Sequence, residues 1–193
     1  MFKHNSRTQL LLDTLEDIIQ IGERENKKYV IAAGLGIDIE AAALRGDHHL
    51  TRDHHDIDVH PLEEDIPFWK DWFAKQGYLV SKNDEIKDPD KAFVAYSPDF
   101  IFKGDPEESQ YYIDVYGLYI DSDGFIHSRE TGQDDPWHMK WDDAFKKVTW
   151  RDHTIWVMKH EVALKNKRET AKAMGNPLRE KDIHDHTLFG VEL

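Results

Sequence analysis

Among the residues able to do chemistry, Asp56 and Asp58 stand first. They lie in Thr51-Arg52-Asp53-His54-His55-Asp56-Ile57-Asp58-Val59, with a branched apolar residue between them and another after. In an extended strand, alternate side chains project to one face, and residues two apart sit about 6.5–7 Å apart. Asp56 and Asp58 would then share a face while Ile57 and Val59 enter the core. Two carboxylates held that way repel each other and gain little from burial. A hard divalent cation, which prefers carboxylate oxygens, is the natural compensation. In an exposed turn the same pair would need no ligand, so the elements around it decide its meaning.

Upstream, a strand over Tyr29-Val30-Ile31-Ala32-Ala33 runs into Gly34-Leu35-Gly36, and a helix follows from Ile37 to Leu44. Glycines there let backbone amides approach a phosphate, and the helix N-terminus beyond them favours anions. A tight turn without a ligand is the structural alternative. The Gly-Lys-Ser/Thr ending of a P-loop is missing. Before this unit, Leu11, Leu12, Leu15, Ile18 and Ile19 recur at helical spacing within Thr8–Asn26. After it, Pro61 stops the acidic strand and Glu63 to Gln76 reads as an amphipathic helix ended by Gly77.

From Tyr78 onward the texture turns β-rich. Strand candidates are Tyr78–Val80, Ala92–Tyr96, Phe100–Phe102 and, strongest, Gln110–Ile120. Asp114 stands in the last of these between Ile113 and Val115, where a carboxylate is costly to bury without a partner. Asp121-Ser122-Asp123-Gly124 lacks the ligand spacing of a calcium loop and reads as a hairpin turn. Gln133 to Lys147 reads as a loop and short helix, and Val148 to Val157 as a hairpin. Two helices follow, Lys159–Ala173 and Arg179–Phe189. Asp182 and Asp185, three apart, share a face of the second.

Together these residues resemble the polymerase-beta-type nucleotidyltransferases, in particular the small enzymes that modify aminoglycosides and lincosamides. That pattern has a strand, a Gly-Gly turn, a helix carrying an Asp, then Thr-Arg-x-His-x-Asp-Ile-Asp. The chain shows Ala33-Gly34-Leu35-Gly36-Ile37-Asp38, then Thr51-Arg52-Asp53-His54-His55-Asp56-Ile57-Asp58. Ala33 stands where the first glycine belongs, and Leu35 where a tryptophan is common. The resemblance implies an α+β nucleotidyltransferase fold, a mixed twisted sheet flanked by helices. It implies that Asp114 is a third catalytic carboxylate and that Asp56, Asp58 and Asp114 bind two Mg²⁺ ions beside a nucleoside triphosphate, ATP in the first instance. Gly34 and Gly36 would cradle phosphate, with Thr51 and Arg52 orienting phosphates or bracing Asp58. The family's closing pattern, a helical lysine and then Arg-x-Lys-Asp-x-x-Asp, falls on Lys165 and on Arg179-Glu180-Lys181-Asp182-Ile183-His184-Asp185. Lys165 and Lys181 are thereby expected to reach the triphosphate.

Composition narrows the partners. The 193 residues suit a core domain over 1–158 with a C-terminal helical segment over 159–193 packed on it. Zero cysteines exclude disulfides and agree with a cytoplasmic protein. No apolar run is long enough to span a membrane. A formal charge of −13 argues against a broad nucleic-acid surface and favours a small, amine-bearing acceptor. Two other functions compete: a His-Asp-type metal-dependent phosphohydrolase using His54-His55-Asp56 or His184-Asp185-His186, and a nucleotide-binding module of the same fold without turnover.

Overall fold

A computed structural model of the chain describes residues 6–82, 90–97, 112–128 and 135–192. The expected strand Phe100–Phe102 lies outside them. The apolar stripe of the first segment forms helix α1 (Ser6–Arg24), and Leu11, Leu15, Ile18 and Ile19 are fully buried. Strand β1 (Tyr29–Ile31) leads into α2 (Ala33–Arg45), and β2 (Asp56–Pro61) carries the acidic pair. The strand stops at Pro61 as expected, with Pro61 paired to Tyr29 as its last residue. A short 3-10 turn (Glu63–Asp65) leads into α3 (Ile66–Lys75), followed by β3 (Leu79–Lys82), β4 (Ala92–Tyr96) and β5 (Tyr112–Tyr116).

These strands join β9 (Phe145–Trp150) and β10 (His153–Met158) in a seven-stranded sheet of order β3-β4-β5-β2-β1-β10-β9. The sheet is mixed: β2 runs parallel to β5 and antiparallel to β1, which is parallel to β10. One face packs on α1, α3 and the apolar side of α2, with Ile57, Val59, Ile113, Val115, Trp69 and Phe73 in a single core. On the opposite face, Val30, Ala32, Phe145 and Met158 pack beneath α4 (Trp141–Ala144) and α5 (His160–Ala173). The last helix, α6 (Glu180–Leu188), lies against α2 and α5.

The expected strand Gln110–Ile120 is two strands in two sheets. Gly117 separates β5 from β6 (Leu118–Ile120), and its N–H donates to the Lys91 carbonyl at 2.8 Å. A Cβ at Gly117 would stand 2.9 Å from that oxygen, so the chain turns where only glycine fits. β6 pairs with β7 (Phe125–Ser128), and β7 with β8 (Asp135–Lys140), in a small three-stranded sheet. The sequence reads β8 as loop because Asp135 and Pro136 are poor strand formers; pairing with β7 overrides that preference.

A polar staple ties α1 to the β9–β10 hairpin. His153 is bonded through Nε2 to Glu16 at 2.6 Å and through Nδ1 to Glu23 at 3.2 Å. Burial works to lower the imidazole, but the two carboxylates outweigh it and hold the pKa above its ordinary 6.5. A folded-state pKa raised in this way stabilises fully below the unfolded value and is lost as pH rises through the folded one. Melting temperature is therefore expected to fall as pH rises from about 6 through the raised pKa of His153. His153→Gln should flatten that slope; an unchanged slope would remove His153 as its source.

Candidate active site

The register between β2 and β5 brings the three predicted carboxylates to one face. Asp58 stands beside Asp114, and Asp56 beside Tyr112 in the adjoining row. Neighbouring strands lie about 4.8 Å apart, so Asp58 and Asp114 are adjacent across the ladder. All three acids are half-buried, whereas Ile57, Val59, Ile113 and Val115 are fully buried on the other face. The donor set is all oxygen, which suits a hard divalent cation. Burial, reinforced by the fields of Asp56, Asp114 and Asp58, pushes the Tyr112 hydroxyl up to about 12. The phenol therefore faces the acids as a neutral donor.

Around this row the Thr51–His54 segment is a brace. Asp38, fully buried on α2, accepts from the Thr51 N–H at 2.8 Å, the Thr51 hydroxyl at 2.9 Å and His54 Nε2–H at 3.0 Å. Burial works to raise the Asp38 carboxyl, yet these bonds hold it below the usual carboxylate range. Burial pushes His54 down against the pull of Asp38, so the pair is carboxylate and neutral imidazole. Because the Thr51 hydroxyl donates to Asp38, His184 Nε2–H donates to it in turn at 2.8 Å. Arg52 donates to Asp185 from Nε at 3.0 Å and from a terminal nitrogen at 3.3 Å. Thr51 and Arg52 thus tie the acidic strand to α2 and α6.

The N-terminus of α2 arrives at the same place. The helix begins at Ala33 rather than Ile37, so Gly34 and Gly36 lie in its first turn rather than in a preceding loop. The Ala32 N–H donates to the Asp58 carbonyl at 2.9 Å, joining helix entry and acidic strand. A Cβ on Gly36 would meet the Ile31 carbonyl at 2.5 Å, and one on Gly34 would run into the Arg52 guanidinium. Close packing therefore demands Gly36 and favours Gly34; the Gly36 N–H donates to the Ala32 carbonyl at 3.0 Å, and the amides before it in the first turn lack intrahelical acceptors. Ala33 sits at φ +46, the left-handed region. This explains why a glycine is at home here. The strain of about 1–2 kcal/mol exceeds the added unfolded-state entropy of glycine, about 0.4–1 kcal/mol. Ala33→Gly is accordingly expected to stabilise the fold slightly, by roughly 0.5–1 kcal/mol in urea unfolding; a destabilised variant would contradict this.

Beside Ala32 and Ala33 opens a pocket of about 360 Å³, lined further by His60, Met158, Asn166, Lys167, Met174, Arg179 and Asp182. Its cations are not those the sequence points to. Lys165 is exposed, its nearest carboxylate being Glu169 at 3.8 Å, and Lys181 is exposed on α6. Lys167 is half-buried, 2.7 Å from Asp182 and 3.2 Å from Asp185. Arg179 donates to Asp182 at 2.7 and 3.1 Å. Asp182 raises the guanidinium's pKa, burial opposes it, and the field of Asp56 adds to the rise. Arg179 therefore sits within electrostatic reach of the acidic row. Lys165 matches the family's helical lysine by order alone; half a turn further, helical phase turns Lys167 inward instead.

Another cluster of metal-ligand types, Glu40, His160 and Glu161, has donor atoms within 4.8 Å of one another. Glu40 is fully buried and accepts from Lys146 Nζ at 2.7 Å and from the His160 N–H at 2.8 Å. The ammonium occupies a cation's position, so this is an ion-pair joint between α2, β9 and α5. Among the described residues no helix is long and apolar enough to cross a membrane.

No family model and no curated protein matches the chain. Solved structures do. The lincosamide antibiotic adenylyltransferase LnuA, bound to lincomycin, superposes with a TM-score of 0.66 at 17% identity, covering 91% of this chain and 94% of its own. The antibiotic-resistance factor ANT(2'')-Ia in solution gives 0.64 at 15% identity over 94% of this chain and 83% of its own. Its complex with adenylyl-2''-tobramycin gives 0.61 at 15% identity, covering 93% and 87%. With the acidic row on β2 and β5 and a glycine-bearing helix entry beside it, the chain has the α+β fold of the polymerase-beta-type nucleotidyltransferases.

Proposed function

We propose that this chain is a nucleotidyltransferase that uses Mg²⁺ to move a nucleoside monophosphate from a triphosphate, ATP in the first instance, to a hydroxyl of a small antibiotic-like molecule. The observation that carries it is the β2–β5 register, which sets Asp58 beside Asp114 with Asp56 on the same face. Asp56, Asp58 and Asp114 would hold the metal, which when bound supplies charge stabilisation to the phosphoryl group and acidifies the acceptor hydroxyl.

The chain's own residues supply the rest. First-turn amides of α2 receive phosphate oxygens, as helix N-termini do. Lys167 and Arg179, on the pocket wall, balance the triphosphate's charge in place of Lys165 and Lys181. Asp114 accepts the proton of the acceptor hydroxyl. The acceptor oxygen then bonds to the α-phosphorus, the bond to the β-phosphate oxygen breaks, and pyrophosphate leaves. Arg52, anchored by Asp185, keeps Gly34 and the helix entry in place.

The phosphohydrolase alternative loses its footing. That architecture is nearly all-helical, whereas this chain builds a seven-stranded sheet. His54 is buried against Asp38, and His184 is engaged by Thr51. The test is pyrophosphate release from ATP and Mg²⁺ with tobramycin or lincomycin as acceptor. Release that depends on the acceptor is expected. Nucleotide binding without pyrophosphate, across all four NTPs and both acceptors, would return the non-catalytic module.

A further inference from the structure

Helix α2 carries two fully buried carboxylates, two residues apart and therefore on opposite sides of the helix. Asp38 turns to the Thr51–His54 segment that leads into the acidic strand. Glu40 turns the other way, to α5. Its Oε2 accepts the His160 N–H at 2.8 Å. Its Oε1 accepts from His160 Nδ1–H at 2.8 Å and from Lys146 Nζ at 2.7 Å. The His160 N–H belongs to the first turn of α5, where backbone donors have no intrahelical acceptor. Lys159, at the N-cap of α5, makes no side-chain capping bond. Glu40 therefore caps α5 from a different helix, and its charge suits the positive end of the helix dipole. The His160 ring lies flat on Phe189 at the end of α6, with 3.8 Å between centroids and 10° between planes.

Stability alone does not call for this arrangement. Taking a carboxylate out of water is unfavourable, and apolar side chains often replace buried ion pairs without loss. What an apolar residue does not do is fix one helix against another at a single hydrogen-bonded setting. That setting matters at Lys167. His160 and Lys167 are two turns apart on α5, hence on one face and about 10 Å apart along the axis. Lys167 lines the pocket beside Ala32 and Ala33, where α2 begins. Glu40 lies two turns into α2 from Ala33, so each helix has the same short length between this bond and the pocket. We infer that Glu40 is a positioning residue: by capping α5 from within α2, it fixes where Lys167 stands relative to the first-turn amides of α2. Without that cap, α5 is free to rotate or slide against α2, and Lys167 leaves its place on the pocket wall for part of the time.

This inference rests on the transferase proposal for what Lys167 holds, and two measurements separate them. Titration calorimetry would measure a non-hydrolysable ATP analogue and AMP, each with Mg²⁺, against the wild type, Glu40→Leu, Lys167→Gln and the double variant. Glu40→Leu keeps the volume, and Lys146, 33% exposed, can turn to water. Glu40→Gln keeps an oxygen for the His160 N–H and stands in should the leucine variant not fold. Affinity for the analogue is expected to fall about tenfold in Glu40→Leu and severalfold in Glu40→Gln, the scale of one charge-assisted contact. AMP lacks the β- and γ-phosphates and should bind as it does to the wild type. Adding either Glu40 substitution to Lys167→Gln should lose nothing further, because Glu40 acts through Lys167. Additive losses, equal losses for AMP and the analogue, or unchanged analogue affinity would each overturn the role. The second measurement needs no nucleotide. The chain has no cysteine, so spin labels at Leu44→Cys and Lys172→Cys, both exposed positions, report the separation of α2 and α5 by pulsed electron paramagnetic resonance. The distance distribution should be narrow with Glu40 and broader or shifted in Glu40→Gln; identical distributions would overturn the inference. A wild-type chain that bound neither nucleotide would overturn the transferase reading, and the distances alone would then decide whether Glu40 sets α5 on α2.

Discussion

Replacing Asp58 or Asp114 with asparagine is expected, on the proposed mechanism, to lower nucleotidyl transfer by at least about 10³-fold, because each would remove one charged oxygen ligand from the site proposed to stabilise phosphoryl charge. The two acids are neighbours in the ladder, so the variants should behave alike. Their folding should tell the opposite story. Asp58 and Asp114 are half-buried like charges side by side, and neutralising one relieves repulsion. The melting temperature of either variant is expected to equal or exceed that of the wild type. Asp56→Asn should cost activity too. Steady-state rates with circular dichroism melts check both halves; a variant with wild-type turnover, or one that lost activity by unfolding, would contradict the role given to these acids.

The second large effect is structural. Asp185 is fully buried and bonds Arg52, with Lys167 3.2 Å away. Asp185→Ala would strand Arg52, which is only 17% exposed, while Lys167 keeps Asp182 at 2.7 Å. Breaking a buried pair by removing one partner costs about 3–5 kcal/mol, against about 1 kcal/mol or less for a surface pair. For a chain of this size the melting temperature should fall by about 10 °C. Asp185→Asn keeps a hydrogen-bond acceptor and should lose less. Thermal melts of both variants decide the matter: a melt of Asp185→Ala within 2 °C of the wild type, about the shift of a surface pair, would show that Arg52 does not depend on Asp185.

Much of this was legible in the chain. Alternation in Asp56-Ile57-Asp58-Val59 and again in Tyr112-Ile113-Asp114-Val115 puts the acids on one face and the apolar residues on the other, and the sheet follows that alternation. Pairing between two strands more than fifty residues apart is not written in either strand, and only the resemblance joined Asp114 to the pair. That Lys167 and Arg179, rather than Lys165 and Lys181, line the pocket was not legible for a definite reason. Lys165, Lys167, Arg168 and Lys172 are all on α5, and which of them turns inward depends on how the helix is rotated against α6. That rotation is set by Asp182 and Asp185, buried acids whose spacing shows a shared face but not a partner. The start of α2 was placed late because Gly34 and Gly36 weaken helix propensity, while packing against Ile31 and Arg52 places them inside the first turn. β8 and the break at Gly117 were likewise decided by pairing and close approach rather than by local preference.

The acidic row is the centre of the account, and its affinity for a divalent ion can be read apart from turnover. Mn²⁺ titration followed by electron paramagnetic resonance of the free aquo ion would compare the wild type, Asp58→Asn, Asp114→Asn and Glu161→Gln, each with a non-hydrolysable ATP analogue. Saturable Mn²⁺ binding is expected in the wild type and in Glu161→Gln, and should be lost in both aspartate variants. Binding kept in the aspartate variants, or lost only in Glu161→Gln, would contradict the assignment of Asp56, Asp58 and Asp114 as the metal-binding face.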